Sequence, residues 1–233
     1  MALSTWRNPR LSRINPRSVG TVRVISGKFR SRRLKGTPPS GIRPTSDKLK
    51  ETIFNILGAG IQNSIFLDGC AGMGGIGIEA ISRGATFVYF VDQSRKACQI
   101  IRENLKSLKV EEGYKIIETD LLKALNSIDT ALDIAFVDPP YEREDLYDAC
   151  LKRFGSAPLL APDGLLIFEH SKRKELPNVS GTLRRIRSLV QGDAALAFYR
   201  AWGDRPLPNP GGHEREAQAR QGAAKKVPTL KKP

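Results

Sequence analysis

Leu132-Asp133-Ile134-Ala135-Phe136-Val137-Asp138-Pro139-Pro140-Tyr141 is the segment from which the class of fold can be read. Its apolar run is short and rich in Ile, Phe and Val, the pattern of a buried strand. Two consecutive prolines stop that strand, because neither can donate to a sheet ladder and each fixes its own φ. An acid, two rigid carbonyl-bearing residues and an aromatic ring therefore stand at the carboxyl end of a strand, where open α/β sheets place their ligands. A planar amine there can give its hydrogens to the Asp138 carboxylate and the Pro139 carbonyl while its ring stacks on Tyr141. The nitrogen lone pair then points at an electrophile instead of into the ring. Asp138, Pro139, Pro140 and Tyr141 are accordingly the candidate catalytic residues. A turn after a core strand, with Asp138 as a helix cap, is the plainer reading of the same four residues.

Upstream and downstream, strands and helices alternate. Ile65–Leu67, Phe87–Val91, Tyr114–Glu118 and the strand before Asp138 are followed by Leu165–Phe168 and by two β-rich stretches, Leu183–Leu189 and Ala195–Trp202. The last two form an expected antiparallel pair around Gln191-Gly192-Asp193. Helical periodicity marks a segment opened by Thr45 or Ser46 with the stripe Leu49, Ile53, Ile56 and Leu57, and another from Ser94 to Leu108. Further helices are expected after the glycine-rich turn, to about Arg83, and over Leu146–Phe154. This alternation predicts a Rossmann-like α/β fold whose sheet is parallel up to the final antiparallel pair.

The glycine-rich turn, Asp68-Gly69-Cys70-Ala71-Gly72-Met73-Gly74-Gly75-Ile76-Gly77, follows the first strand, and Asp92 lies 20 residues after Gly72. Gly72, Gly74 and Gly77 with Asp92 satisfy a dinucleotide fingerprint, which by itself points to NAD. Asp68 argues otherwise, because its carboxylate would repel a pyrophosphate and welcome an amino group. S-adenosylmethionine fits: its ammonium can meet Asp68 and its ribose diol Asp92. Asp120, at the end of the third strand, can read the adenine amine while Leu121 supplies a main-chain donor, although a helix N-cap is an equal use for Asp120. Cys70 and Gln93 complete the candidate cofactor lining, while Cys70 and Met73 read most simply as fillers of the turn. Gly74 and Gly77 can also be packing glycines, and Glu79 reads as a surface or capping residue.

The charge of +14 over 233 residues is uneven. Residues 1–46 hold nine Arg and two Lys with no acid, residues 204–233 hold seven bases against three acids, and the middle holds 20 bases and 21 acids. A neutral core with basic ends favours a polyanionic partner through phosphate neutralisation and counterion release; a solubilising or targeting tail is the alternative. Residues 1–20 form an expected flexible arm whose Arg- and Ser-rich composition also suits a transit peptide. Residues 21–60 carry an expected basic hairpin turned at Ser26-Gly27, presenting Arg23, Lys28, Arg30, Arg32, Arg33 and Lys35, followed by a helix. Residues 61–203 form the α/β domain, and 204–233 a basic tail expected to be disordered. No apolar run approaches the ~20 residues of a membrane span. The three cysteines lack C-x-x-C spacing and fit a reducing, cytoplasmic compartment, and no metal site is recognisable from the two histidines. A monomer is the expected state.

Four motifs in order carry a family resemblance from about Val22 to Trp202: Arg23-Val24-Ile25-Ser26-Gly27-Lys28, Arg43-Pro44-Thr45-Ser46-Asp47 with Lys50–Leu57, Leu67 to Gly77 with Glu79-Ala80 and Ser82–Ala85, and Asp133 to Tyr141. The chain resembles the bacterial small-subunit (16S) ribosomal RNA guanine-N2 methyltransferases, of the seven-stranded, S-adenosylmethionine-dependent class I. The resemblance implies a basic hairpin that helps hold RNA, with ribosomal RNA or an assembling small subunit as partner. It also implies that Arg43, Pro44 and Thr45 border the cofactor pocket and that Asp138–Tyr141 handle the guanine. Met73, Asp92 and the Gln191–Ala195 turn depart from the usual family residues and leave the target nucleotide open. An adenine-N6 nucleic-acid methyltransferase shares the Asp-Pro-Pro-Tyr signature, and an NAD-dependent oxidoreductase needs only the Gly72–Asp92 fingerprint.

Overall fold

The computed structural model describes residues 22–36, 45–140, 143–156 and 158–201. Arg43, Pro44, Tyr141, the arm 1–20 and the tail 204–233 lie outside the described residues. Elements run α1 (Asp47–Leu57), β1 (Ile65–Gly69), α2 (Gly75–Ser82), β2 (Phe87–Asp92), α3 (Arg95–Ser107), β3 (Tyr114–Glu118), α4 (Leu121–Ser127), β4 (Leu132–Val137), α5 (Glu144–Ser156), β5 (Leu160–Ser171), β6 (Val179–Ser180), β7 (Leu183–Gln191) and β8 (Ala194–Ala201). They form one sheet in the order β3-β2-β1-β4-β5-β8-β7-β6. The first five strands are parallel, and β8 inserts antiparallel between β5 and β7. The central parallel strands read as unbroken apolar runs because both of their faces are covered. One face carries α1, α2, α3 and the N-terminal hairpin over Phe66, Phe90, Phe136 and Ile167. The other carries α4 and α5 over Leu67, Val91, Ala135 and Phe168. The chain winds outward from β1 to β3, then returns to place β4 on the other side of β1, so the switch point lies between β1 and β4.

The sheet has eight strands where seven are predicted. The additional β6 is two residues long and pairs Val179 with Arg184 and Ser180 with Leu183 across a turn containing left-handed Gly181; two residues leave no periodicity to detect. Strand β5 starts five residues before its predicted start because the Ala161–Gly164 turn is absorbed as an irregularity in its pairing, Leu132 aligning with Leu160 and Ile134 with Leu165. Helix α4 is absent from the sequence reading, which saw only a possible cap at Asp120; its seven residues span too few turns for a clear stripe. Of the two candidate caps of α1, Ser46 is the one whose hydroxyl accepts from Leu49 N.

The basic hairpin closes through one antiparallel bridge, Arg23 to Arg33. Val22, Val24, Phe29 and Leu34 enter the core, while Arg23, Lys28, Arg30, Arg32, Arg33 and Lys35 are exposed. Three helices grip its main chain. Glu79, fully buried and so no surface residue, accepts from Ile25 N at 2.7 Å and Ser26 N at 3.0 Å, with Arg83 paired to it at 2.6 Å. Buried Asn104 on α3 accepts from Lys35 N at 2.7 Å and donates to the carbonyls of Lys35 and Met73. Buried Lys50 on α1 donates to the Arg23 carbonyl and pairs with Asp47. Buried polar groups need partners of this kind, and here the partners are the hairpin's own amides and carbonyls.

Candidate active site at the β1–β4 switch point

Four acids stand at or just beyond the carboxyl ends of adjacent parallel strands: Asp68 in β1, Asp92 in β2, Asp138 after β4 and Glu169 in β5. Such an edge is the ligand-binding crevice of an open α/β sheet. Asp138 is tied to β1 through its amide, which donates to the Gly69 carbonyl at 3.1 Å. This sets the end of β4 beside the start of the glycine turn, with the Asp138 carboxyl near enough to Asp68 and Cys70 for their charges to interact. Pro139 is buried and Pro140 exposed, with the Pro140 carbonyl accepting from Arg143 N at 2.8 Å. The proline pair thus ends β4 as expected and rigidly turns the chain toward α5.

The turn between β1 and α2 uses each glycine differently. Gly72 is left-handed at φ +54, and open space lies where a Cβ would stand, so the backbone can approach a ligand. Gly74 caps α2 in the left-handed region at φ +77. Gly77 is needed for packing: a Cβ would come within 2.3 Å of the Phe90 ring. Its amide donates to Asp68 Oδ2 at 2.8 Å. That contact occupies a first-turn N–H of α2, the kind of group a pyrophosphate would require. Cys70 holds φ +62, an uncommon conformation for a side-chain-bearing residue. Burial first, then Asp92 and Asp138, push its thiol well up, so it is a neutral lining group.

Asp92 is half-buried and accepts from Gly72 N and Ser94 N, each at 2.8 Å. It braces the glycine turn against β2. Burial raises its pKa and these two amides oppose the rise. Asp120 caps α4, accepting from Leu122 N at 2.9 Å, so the cap reading left open for it is the one observed; Leu121 beside it is buried. Gln93 is exposed in the turn after β2. Thr45 lies near the β5 edge, its hydroxyl 3.4 Å from Glu169 Oε2.

Two of the carboxyls are held far from their ordinary range. Burial raises Asp68 from 3.8 to about 8, against the Gly77 amide and with help from Asp92. Burial, then the charges of Glu169 and Asp68, pushes Asp138 well up. Clustered, perturbed acids in a cleft are a mark of a functional site. The sign for Asp68 follows from linkage: a folded value above the unfolded one adds stability at low pH that is lost as pH rises from about 4 to about 8. Asp68→Asn, which keeps an acceptor for Gly77, is expected to flatten that part of the decline. Melting temperatures of both proteins across the window check this, the gap favouring the variant and widening by several degrees toward pH 8.

Sequence reading missed Glu169, Glu79 and Asn104. Glu169 had a detectable signal, since it ends an apolar strand as Asp68, Asp92 and Asp138 do. Glu79 sits in a helix that is otherwise Gly, Ile, Ala and Ser, an apolar setting in which a lone acid needs a buried partner. Asn104 carried none.

This strand order, glycine turn and row of strand-end acids define the class I methyltransferase architecture. Residues 22–200 match the family described as Conserved hypothetical protein 95. The putative rRNA methyltransferase YlbH of Bacillus subtilis is 37% identical over 185 residues, covering 78% of this chain and 100% of that protein. Ribosomal RNA small subunit methyltransferase D of Escherichia coli is 32% identical over 180 residues, 77% of this chain and 90% of that one. Among solved structures, the putative methyltransferase yhhF of Escherichia coli superposes with a TM-score of 0.69 at 32% identity, covering 78% of this chain and 98% of that one. The chain belongs to the Conserved hypothetical protein 95 family. It is a methyltransferase.

Proposed function

We propose that this protein transfers a methyl group from S-adenosylmethionine to the exocyclic N2 amine of a guanine in small-subunit ribosomal RNA. The observation that carries the reading is the facing of Asp138 and the Asp68–Gly77 turn across the β1–β4 switch, tied by Asp138 N to Gly69 O at 3.1 Å. The names of these relatives, as rRNA methyltransferases, support the substrate class. The donor set suits S-adenosylmethionine. Acids border the glycine turn, the α2 amide that would serve a phosphate is taken by Asp68, and Gly72 leaves room for close approach. When bound, S-adenosylmethionine supplies an electrophilic methyl on a sulfonium.

The roles of the chain's residues follow. Asp68 receives the ammonium and Asp92 the ribose diol, while Arg43, Thr45, Cys70, Gln93, Asp120 and Leu121 complete the lining. Asp138 and the Pro139 carbonyl accept the two N2 hydrogens and favour a tetrahedral nitrogen, and Tyr141 stacks on the base. Rate then comes mostly from proximity and preorganised charge. The guanine must be unstacked to enter, which suits single-stranded or bulged RNA. Arg23, Lys28, Arg30, Arg32, Arg33 and Lys35 hold phosphates, giving affinity and orientation more than base choice. Residues 21–60 thus serve RNA and 61–203 the transfer, in a monomer. Its three free cysteines suit the cytoplasm. Among the described residues no helix is long and apolar enough to cross a membrane, and no cluster of His, Cys, Asp or Glu could hold a metal ion.

The test is transfer of labelled methyl to small-subunit rRNA or particles lacking the modification, followed by nucleoside analysis. Labelled N2-methylguanosine is the expected product; N6-methyladenosine would overturn the target, and no S-adenosylmethionine binding would overturn the reading. Because the free protein keeps Asp68 neutral below about 8, capture of an ammonium there releases a proton. S-adenosylmethionine affinity should therefore rise with pH up to about that value in titration calorimetry, and Asp68→Asn should lose the dependence.

A further inference from the structure

We infer that Glu169 is a further residue of the transfer site, a positioning carboxylate that pairs with Asp138 across the β4–β5 seam to make the acceptor for the proton leaving N2, and that holds the start of α1 beside it through Thr45. The inference rests on the guanine-N2 reading above. Its geometry comes from strand register. Val137 aligns with Phe168 in the parallel β4–β5 pair, so Asp138 and Glu169 are the next residues along, roughly 5 Å apart at the backbone. Phe136 and Ile167 both face the α1 side of the sheet. Side chains two positions on return to the same side, which puts Asp138 and Glu169 there together. Asp68, two residues after Phe66, joins them from β1.

Glu169 is only 6% exposed although it nears the end of its strand. The Thr45 hydroxyl approaches its Oε2 at 3.4 Å, and its main-chain carbonyl accepts from the buried Tyr147 hydroxyl at 3.2 Å. The strand end is thereby braced from α1 on one side and from α5 on the other. The groups facing Asp138 are Glu169 from β5, Asp68 from β1 and the Cys70 thiol just beyond β1. A like charge nearby raises the proton affinity of a carboxylate, as in paired carboxylates that share one proton.

The chemistry needs such an acceptor. As the N2–methyl bond forms and the methyl–sulfur bond breaks, the sulfonium charge passes to nitrogen. The nitrogen sheds it by giving one of its two hydrogens to the Asp138 carboxylate, which returns the proton to water as product leaves. A solvated aspartate would be a weak base for this step; burial at this strand end makes Asp138 stronger, and the facing Glu169 adds to that.

Glu169→Gln keeps the size and an acceptor for Thr45 but removes the charge. The acidic limb of the kcat/KM–pH profile should move down by about one pH unit or more, with maximal rate about tenfold lower. In the ligand-free protein, the side-chain 13C resonance of Asp138 should titrate lower by a similar interval. Glu169→Asp, which keeps the charge but withdraws it, should fall between the two. If limb and resonance both stay at their wild-type positions in folded Glu169→Gln, the pairing is overturned. If the wild-type protein yields no N2-methylguanosine, the function reading and the acceptor role fall together. The ligand-free titration still upholds or overturns the pair by itself.

Discussion

Asp138→Ala is expected to lower methyl transfer to RNA by about 10²–10⁴-fold, the range associated with removing a positioned proton acceptor. S-adenosylmethionine affinity should stay within a few-fold of wild type. The separation follows from the geometry. The Asp138 contact that braces β1 is made by its main-chain amide to Gly69 O and survives the substitution. The side chain sits beyond the last β4 residue, outside the apolar core. The carboxyl is also expensive to ionise where it stands, so its loss should cost little stability at neutral pH. Asp138→Asn separates two jobs: it retains an oxygen that can accept from N2 but cannot take up the proton. Its rate should lie between those of wild type and alanine. Single-turnover methyl transfer measured beside calorimetric cofactor binding checks both variants. A rate within a few-fold of wild type for Asp138→Ala would remove Asp138 from the mechanism.

Gly27→Ala is expected to release the basic hairpin while leaving the cofactor turn in place. Gly27 is left-handed at φ +82, and a Cβ would lie 1.8 Å from the main-chain carbonyl oxygen of Ser82 in α2. Neither backbone can yield without breaking the neighbouring hydrogen bonds: Lys28 N donates to that same oxygen at 2.7 Å, and Ile25 N and Ser26 N both end on Glu79. Leaving the buried Glu79 carboxylate without these two amides, with only Arg83 still paired to it, costs about 1–3 kcal/mol or more, which detaching the hairpin avoids by letting water reach Glu79. The six exposed bases would then no longer be fixed in position. RNA affinity should fall by at least tenfold, and the slope of log affinity against log salt should shrink by about 0.7 for each single-strand phosphate that the hairpin ceases to neutralise. S-adenosylmethionine binding should change little. An unchanged salt slope in Gly27→Ala would show that the hairpin is not the phosphate-binding element.

The two predictions divide along a physical line that also separates what was readable in the chain. Local rules sufficed wherever a residue's neighbours in sequence set its conformation. The apolar run 132–137 cut off by Pro139-Pro140 placed a strand end, and β3 ran from Tyr114 to Glu118 as the sequence predicts. The alternation of apolar Val22, Val24, Phe29 and Leu34 with exposed bases is likewise a property of the hairpin segment itself. The acids closing the first, second and fourth strands were found the same way, because a charge at the end of an apolar run is visible in sequence. By matching motifs, the family resemblance extends the expectation to cofactor roles for Arg43 and Thr45 and to guanine-handling roles for Asp138–Tyr141.

Tertiary structure alone decided the partnerships. Glu79 reads as a surface acid until the hairpin's amides, more than fifty residues earlier, are folded onto it. Asn104 joins the hairpin exit to the Met73 carbonyl, a link between three segments that no periodicity encodes. Glu169 becomes a neighbour of Asp138 only because β5 lies beside β4 in one register, since a slip of one residue would turn its side chain to the opposite face. Desolvation, which takes Asp68 to about 8, depends on the whole packed molecule. Burial and cross-strand proximity are sums over groups distant in the chain, and for that reason composition and spacing marked Asp68, Asp92 and Asp138 but neither Glu169 nor the charge states of these acids.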